Sequence, residues 1–80
     1  MNKYVVVATY NFDYTPVLTI FDTYEEAKAF LKQSFMNELE IDRENGWSNS
    51  YEIDEAADYA VIMNHFGDHD DITEWRIGAI

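Results

Sequence analysis

One helical stripe between two groups of strand-forming segments constrains the fold of this chain more than any other feature. Apolar residues recur at the three- and four-residue spacing that buries one face of a helix, at Tyr24, Ala27, Leu31, Phe35 and Leu39. Thr23 and Glu26 have the spacing of a capping box, and Asn45-Gly46 is typical of the residues that end a helix. The sequence therefore predicts a single helix that starts after Thr23 and reaches Asp42 or Arg43.

Segments rich in β-branched and aromatic residues flank this helix on both sides, which predicts strands. The first segment contains three consecutive valines, so we expect it to lie inside the sheet and to be buried on both faces. Turn residues before Pro16 predict one hairpin with Pro16 at the start of its return strand, and Gly67 with the aspartates after it predicts another. The predicted strands span residues 3–12, 17–21, 59–66 and 72–77, with an additional short strand over 51–54.

This element order, β-β-α-β-β with one extra short strand, predicts an α+β fold. We expect an antiparallel sheet of about four strands with one α-helix packed on one face. The 80 residues are expected to form one small domain, and 48% hydrophobic and 16% aromatic residues argue against a disordered acidic tail. The second sheet face is expected to be partly solvated, and its aromatic content makes it a candidate dimer contact.

The whole net charge of −11 lies in the segment from Glu38 to Glu74. Between Glu38 and Glu74 there are twelve carboxylates and one base, Arg43, whereas the acids and bases elsewhere balance. A field of this sign repels nucleic acids and anionic membranes, and it attracts basic protein surfaces or cations. Acids also crowd the last turns of the helix, where the helix dipole disfavours each by about 0.3–1 kcal/mol. A cost without a visible structural gain indicates a functional role.

These acids are the predicted partner-binding residues. A rigid display of carboxylates can occupy a protein channel that otherwise binds phosphates through Lys and Arg. The predicted recognition face consists of Glu38, Glu40, Asp42, Glu44, Glu52, Asp54, Glu55 and Asp58. A second acidic tip consists of Asp68, Asp70 and Asp71. Two large aromatic residues set among the acids, Trp47 and Tyr51, are the predicted interface anchors.

Other kinds of chemistry have little support in this sequence. The chain has no cysteine, which excludes disulfides, thiolate metal sites and a cysteine nucleophile, and which suits a reducing cytosol. His65 and residues 68–71 form a local His/Asp cluster without the spacing of a Ca²⁺ loop or a zinc-binding helix, so we expect a polar turn. Divalent-cation binding there stays open as an alternative. No catalytic motif stands out, and we expect neither an enzyme nor a bound cofactor or metal.

The chain resembles the small acidic proteins with which phages and mobile elements inhibit bacterial defence systems, the anti-CRISPR and anti-restriction class. The resemblance rests on length, α+β order, acidity and the lack of cysteine. The segments KYVVVATYNFDY, FDTYEEAKAFL and DDITEWRIGAI also resemble proteins of such elements in gut Firmicutes. This resemblance implies a viral or mobile-element protein that acts in the cytoplasm of its bacterial host.

Charge and resemblance together predict a non-enzymatic inhibitor that acts as a nucleic acid mimic. Its expected partner is a basic nucleic-acid-binding protein, such as a CRISPR effector or a restriction nuclease. We expect no direct binding of nucleic acid and no membrane association, since no segment approaches the roughly 20 apolar residues of a membrane span. The alternative is a small regulatory module that forms a homodimer through its apolar sheet face and whose acidity serves solubility.

Overall fold

The computed structural model describes residues 3–80, apart from the side chain of Tyr14. Its elements in chain order are β1 (Tyr4–Tyr10), β2 (Asp13–Phe21), α1 (Tyr24–Glu44), β3 (Ser48–Asp54), β4 (Tyr59–His65) and β5 (Asp70–Ala79). The strands form one antiparallel sheet in the order β2-β1-β5-β4-β3, and α1 packs against one face of it. The predicted α+β class, with one helix and an antiparallel sheet, is confirmed. The short extra strand is a full fifth member of the sheet.

The helix begins where the sequence predicts. Thr23 caps it, because its Oγ1 accepts a hydrogen bond from the N–H of Glu26 at 3.2 Å. The helix ends at Glu44, slightly beyond the predicted limit, and Gly46 follows with a φ of 74°, which favours glycine. Its 21 residues correspond to a length of about 31 Å. The two ends of α1 therefore lie toward opposite ends of a molecule that is 46 Å long.

The hydrophobic core lies between α1 and the covered face of the sheet. The helix contributes the predicted stripe of Ala27, Leu31, Phe35 and Leu39, and the sheet contributes Val6, Ala8, Ala60, Ile62 and Trp75. Phe35 packs edge-on against Trp75, with ring centroids 6.0 Å apart. Burial of each large side chain contributes about 1.5–3 kcal/mol, so this contact layer holds the helix on the sheet.

No described element covers the second face of the sheet, which we call the open face. Val5 and Val7 point to it and are only half-buried. β1 therefore lies inside the sheet as predicted, between β2 and β5, but it is not buried on both faces. Leu18 and Ile20 extend the apolar part of the open face onto β2, where both side chains are exposed.

The β1–β2 hairpin differs from its predicted form. The turn takes up residues 11–12 alone, and β2 begins at Asp13, so Pro16 lies inside the strand and not at its start. The pairs Ala8–Val17 and Tyr10–Asp13 show that β2 accommodates two extra residues at this point. Because β2 is at the edge of the sheet, the missing N–H of Pro16 is tolerated there.

Candidate partner-binding site

The β1–β2 turn, the β4–β5 turn and the C-terminus of α1 meet at one end of the molecule. In the β1–β2 turn, Asn11 donates from Nδ2 to the carbonyl oxygen of Asp70 at 2.7 Å and accepts from the N–H of Ile72 at 2.7 Å. At the other side of this end, Asn64 of β4 donates to Oδ2 of Asp42 at 3.1 Å and so joins α1 to the sheet. These bonds hold three distant parts of the sequence together.

This end concentrates carboxylates, and we call it the acidic cap. It consists of Asp13 at the start of β2, two acids of α1 and three acids at the β4–β5 turn, namely Glu38, Glu44, Asp68, Asp70 and Asp71. Glu40 flanks the cap on the exposed surface of the helix. Arg43 does not neutralise the cap fully, because its guanidinium lies 5.9 Å from the ring centroid of Tyr51 and 3.4 Å from the Tyr51 hydroxyl.

Asp42 is fully buried, with 0% of its surface exposed, so its predicted place on an exposed recognition face is wrong. Its position explains the burial, since it follows Leu39 by three residues and continues the core stripe of α1. Oδ2 accepts the bond from Asn64, but Oδ1 has no hydrogen-bond partner among the described residues. Asp42 therefore lies beneath the cap as part of its support and is not available to a partner.

The crowding of carboxylates contributes to the raised pKa of two neighbouring groups. The pKa of Glu38 is raised, first by burial and then by the charge of Asp42. The pKa of the Tyr10 hydroxyl is also raised, first by burial and then by the charges of Glu38 and Asp13. The shift of Tyr10 shows that acids from β2 and α1 act on the same small region.

Two histidines lie within the acidic cap. Nδ1 of His69 is 2.7 Å from Oδ1 of Asp68, and Nδ1 of His65 is 2.9 Å from Oδ1 of Asp70. The hydrogen bond to Asp68 is the main cause that raises the pKa of His69, and the same bond lowers the pKa of Asp68. The negative charge of the cap is therefore largest when His69 is neutral.

Exposed aromatic surface adjoins the cap at two places. Trp47 is 43% exposed and packs edge-on against Phe66, with ring centroids 5.1 Å apart. Phe12 is 59% exposed and packs against Tyr10 in the β1–β2 turn. Tyr51, the other predicted anchor, is exposed but lies further along β3, against Phe35 of the helix.

The remaining acids of the predicted recognition face lie away from the cap. Oδ1 of Asp54 accepts backbone hydrogen bonds in the β3–β4 turn, Glu55 pairs with Lys32 at 3.4 Å, and Asp58 accepts a hydrogen bond from the Tyr24 hydroxyl near the start of α1. Glu52 points to the open face from the middle of β3. The structure thus separates these four acids from the helical part of the predicted face, and it joins the exposed acids of that helical part to the predicted second tip.

Sequence reasoning missed three contributors to this site, Asn11, Asp13 and Phe66. Asp13 was counted with the charge-balanced part of the chain, and only the register of the β1–β2 hairpin places it beside Tyr10 and near Glu38. An Asn at a tight turn was an available signal for Asn11, since such side chains commonly bond to backbone groups. Nothing in the sequence indicated that this bond would reach β5.

Within residues 3–80, no helix is long and apolar enough to span a membrane. In the same part of the chain, no group of three or more His, Cys, Asp or Glu residues is placed to hold a metal ion. A shallow groove of about 310 Å³ runs along the outer side of α1, and its ionisable residues are Glu40 and Arg43. No known protein family matches the chain, and neither a curated protein nor a solved structure is significantly similar to it.

Proposed function

We propose that this protein is a non-enzymatic inhibitor that binds the nucleic-acid-binding surface of a basic protein through its acidic cap. The observation that carries the proposal is the convergence of carboxylates from three separate segments on one end of the fold. A folded scaffold positions these charges, whereas an acidic tail would have to order them at an entropic cost on binding. The proposed partner is a bacterial defence nuclease, such as a CRISPR effector or a restriction nuclease.

The physical basis of the proposal is competition for a basic channel. Proteins that bind DNA neutralise closely spaced phosphates with Lys and Arg and release counterions in doing so. The exposed carboxylates of the cap offer the same partner charges on a fixed surface, so the protein would act as a mimic of DNA or RNA. Binding of this kind weakens with added salt, and electrostatic steering accelerates association.

The neighbouring aromatic residues supply what charge alone does not. Solvent-exposed ion pairs contribute only about 0–1 kcal/mol each, so a specific complex needs buried contacts as well. Trp47 and Phe12 expose aromatic surface at the border of the cap. Trp and Tyr are enriched among the residues that dominate binding energy at interfaces, which makes Trp47 the preferred anchor.

The cap is a better candidate than the acids at the other end of the molecule. Asp54, Glu55 and Asp58 are each engaged within the protein, by backbone N–H groups, Lys32 and Tyr24 respectively. At the cap, Glu44 has no side-chain partner among the described residues. The acids of the β4–β5 turn contact His65 or His69 and not a Lys or Arg. A nucleic-acid-binding protein therefore meets more uncompensated charge at the cap.

The experiment is a pull-down with the purified protein from lysates of bacteria that carry defence nucleases. Bound proteins are eluted with salt and, separately, with duplex DNA. We expect a basic nucleic-acid-binding partner in both eluates, because both displace the carboxylates from the same channel. A chain with the charge reversals Glu44→Lys and Asp68→Lys should bind that partner about tenfold more weakly or worse, the equivalent of about 1.4 kcal/mol.

The matched control reverses two acids away from the cap, Glu52→Lys and Glu55→Lys, and changes the net charge by the same amount. Its binding should stay close to that of the unaltered chain. Equal loss in both variants would mean that net charge alone drives binding and would remove the cap as a specific site. If the protein captured no basic partner, or one that neither salt nor DNA displaces, the acidic residues would be explained by solubility alone. The regulatory module would then be the better hypothesis.

Proposals on biological setting follow from the same mechanism. An inhibitor of a defence nuclease acts where that nuclease acts, in the cytoplasm of the bacterial host. Such an inhibitor benefits a phage or mobile element, which is the proposed origin of the chain. Expression of the protein in a strain with an active restriction or CRISPR system should raise the plating efficiency of a targeted phage, and an unchanged efficiency would count against this setting.

A further inference from the structure

The outer edge of β2 carries unpaired backbone groups at two exposed apolar residues. Lys3 and Ile80 exchange backbone hydrogen bonds of 3.2 and 2.8 Å, and the N–H of Asn11 donates to the carbonyl of Ile72 at 3.1 Å. Odd-numbered residues of β1 therefore bond to β5, and even-numbered ones bond to β2. Since these even-numbered residues pair with Val17, Thr19 and Phe21, the intervening Leu18 and Ile20 direct their N–H and C=O groups away from the sheet.

From Val17 to Phe21 this edge lacks the features that usually prevent strands from pairing between molecules. Natural edge strands are blunted by charged side chains, prolines, bulges, extreme shortness or a covering element, and in β2 the proline and the irregular register lie before Val17. From residue 14 to residue 21 β2 has no charged residue, and within residues 3–80 no element lies beyond it in the sheet. Val17, Leu18 and Ile20 are 52%, 62% and 58% exposed. Pro16 is the one residue there that cannot donate to a further strand.

The lack of charge on the β2 edge favours a second copy of this chain as the occupant, because two such edges can meet without like charges facing each other. The other free edge, β3, carries Glu52 and Asp54, and pairing two such edges would bring like charges together. β2 lies at the opposite side of the sheet from β3. An antiparallel pairing of two β2 strands places the two acidic caps at opposite ends of the dimer and keeps their like charges apart. A parallel pairing would place the two caps side by side.

We propose that β2 pairs with β2 of a second copy in antiparallel orientation, about a two-fold axis at Thr19. In this register the outward-facing backbone groups of Leu18 meet those of Ile20 in the partner copy, and those of Ile20 meet Leu18. Thr19 lies opposite its own counterpart. The two sheets join into one of ten strands, and the apolar parts of both open faces become continuous at Leu18 and Ile20. The dimer carries an acidic cap at each of two opposite ends.

Molar mass by light scattering after size exclusion tests the dimer directly. We expect the unaltered chain to have about twice its monomer mass of 9.4 kDa. Leu18→Lys with Ile20→Lys places charge on the edge and should restore 9.4 kDa without loss of fold, since both side chains are exposed. The matched control is Met36→Lys with Ile41→Lys, two exposed apolar residues of α1, and should remain dimeric.

A cysteine cross-link tests the register, because the chain has no cysteine of its own. Residues opposite each other in a non-hydrogen-bonded antiparallel pair have Cα atoms about 4.5 Å apart, a distance that a disulfide spans. Under mild oxidation, Thr19→Cys should form covalent dimers about tenfold faster or more than Ser48→Cys on the other edge, because pairing raises the effective thiol concentration.

Two results would overturn the proposal. One is a mass of 9.4 kDa for the unaltered chain at every concentration measured, which would leave the edge to a strand of another protein. The other is equal cross-linking of Thr19→Cys and Ser48→Cys. The proposal does not depend on the inhibitor function, since Glu44→Lys with Asp68→Lys should leave the dimer intact, and Leu18→Lys with Ile20→Lys should leave each cap able to bind its partner.

Discussion

Asp42 joins α1 to the sheet through a hydrogen bond, but its burial lowers the stability of the fold. It lies on the core stripe of α1, accepts one hydrogen bond from Asn64 and leaves Oδ1 without a partner among the described residues. Oδ1 of Asn64 is likewise without a partner there. A buried polar group without a hydrogen bond costs about 1–3 kcal/mol, and Glu38 adds a like charge nearby. Asp42 therefore lowers the stability of the fold beneath the acidic cap.

We expect Asp42→Asn to raise the free energy of unfolding by about 1–3 kcal/mol at neutral pH. The amide keeps an oxygen that accepts from Asn64, and it removes a buried charge whose other oxygen has no partner among the described residues and which contributes to the raised pKa of Glu38. Urea denaturation measures the change. An NMR titration should also show that the pKa of Glu38 falls in this variant.

Glu40→Gln is the matched control, since it removes one charge from an exposed position of the same helix turn. Its effect on stability should stay within about 0.5 kcal/mol, as is usual for surface substitutions. If Asp42→Asn were no more stable than the unaltered chain, Oδ1 would have to be satisfied by a water or an ion, and the reading of Asp42 as unsatisfied would fail.

The predicted stripe of α1 ended at Leu39, and the charge of Asp42 assigned that residue to the surface. A stripe through Phe35 and Leu39 continues to the position of Asp42, which points to the core. Because carboxylates are rarely fully buried, the charge pattern assigned Asp42 to the surface instead. No local signal indicated that Asn64, 22 positions away, would provide a buried partner.

At the scale of elements, the β4–β5 turn adds pH dependence to the acidic cap. Phe66 and His69 bracket the turn, and the N–H of Phe66 donates to the carbonyl of His69 at 2.9 Å. His69 also stacks on Phe66 and contacts Asp68. Protonation of His69 therefore stabilises this turn while it reduces the negative charge that the turn displays.

We expect the pKa of His69 to lie above that of a histidine in an unstructured peptide, and to fall toward it in Asp68→Asn. The hydrogen bond to Asp68 is the main cause of the raised pKa, so its weakening removes most of the effect. NMR titration of the ring protons measures both values. His65 provides an internal control in the same spectra, because its contact is to Asp70 and not to Asp68.

The direction of the pKa shift of His69 determines how the stability of the fold changes with pH. A raised pKa in the folded state stabilises the fold below the pKa of the unfolded chain, and the contribution is lost as pH rises through the folded value. Partner binding should change in the opposite sense and strengthen as His69 loses its proton. A pKa of His69 unchanged by Asp68→Asn would contradict the assigned contact.

Local sequence signals predicted the helix and the individual strands to different degrees. The capped start of α1 and the strands β4 and β5 were predicted from spacing and residue type, because their apolar residues face one core. The start of β2 was not, since a proline normally marks a strand end, and only an edge position with an irregular register allows Pro16 inside the strand. β3 is mostly exposed and polar, so it lacks the alternation that identifies a strand.

At the scale of the whole molecule, the fold concentrates charge that the sequence distributes over a longer stretch. Segments that end near Glu44 and begin near Asp68 meet at one end, together with Asp13 from the first hairpin. At the other end, Lys3 pairs with Asp22, and Glu25 and Glu26 occupy the favourable first turn of α1. The sequence predicted an acidic surface but not this polarity, since polarity depends on the order of strands in the sheet.

Self-repulsion within the acidic cap should make stability depend on salt. Exposed like charges are screened over about 10 Å at 0.1 M ionic strength, so added NaCl relieves the repulsion and should raise the melting temperature. Neutralising two cap residues, Glu44→Gln with Asp71→Asn, should raise the melting temperature at low salt. The expected rise is about 4–8 °C for each kcal/mol by which the free energy of unfolding increases. The same variant should show a weaker dependence on NaCl, because less repulsion is left to screen.

The control that separates cap repulsion from total charge is Glu25→Gln with Glu26→Gln, which changes the net charge equally at the other end. These two acids interact favourably with the dipole at the N-terminus of α1. Their loss should therefore lower the melting temperature, even though it reduces the magnitude of the net charge. Thermal unfolding followed by circular dichroism across a NaCl series measures all three chains. If both variants gained stability alike, repulsion would be spread over the whole molecule, and the cap would not be its centre. Opposite signs would locate the uncompensated charge at the cap, where a basic partner relieves the most repulsion on binding.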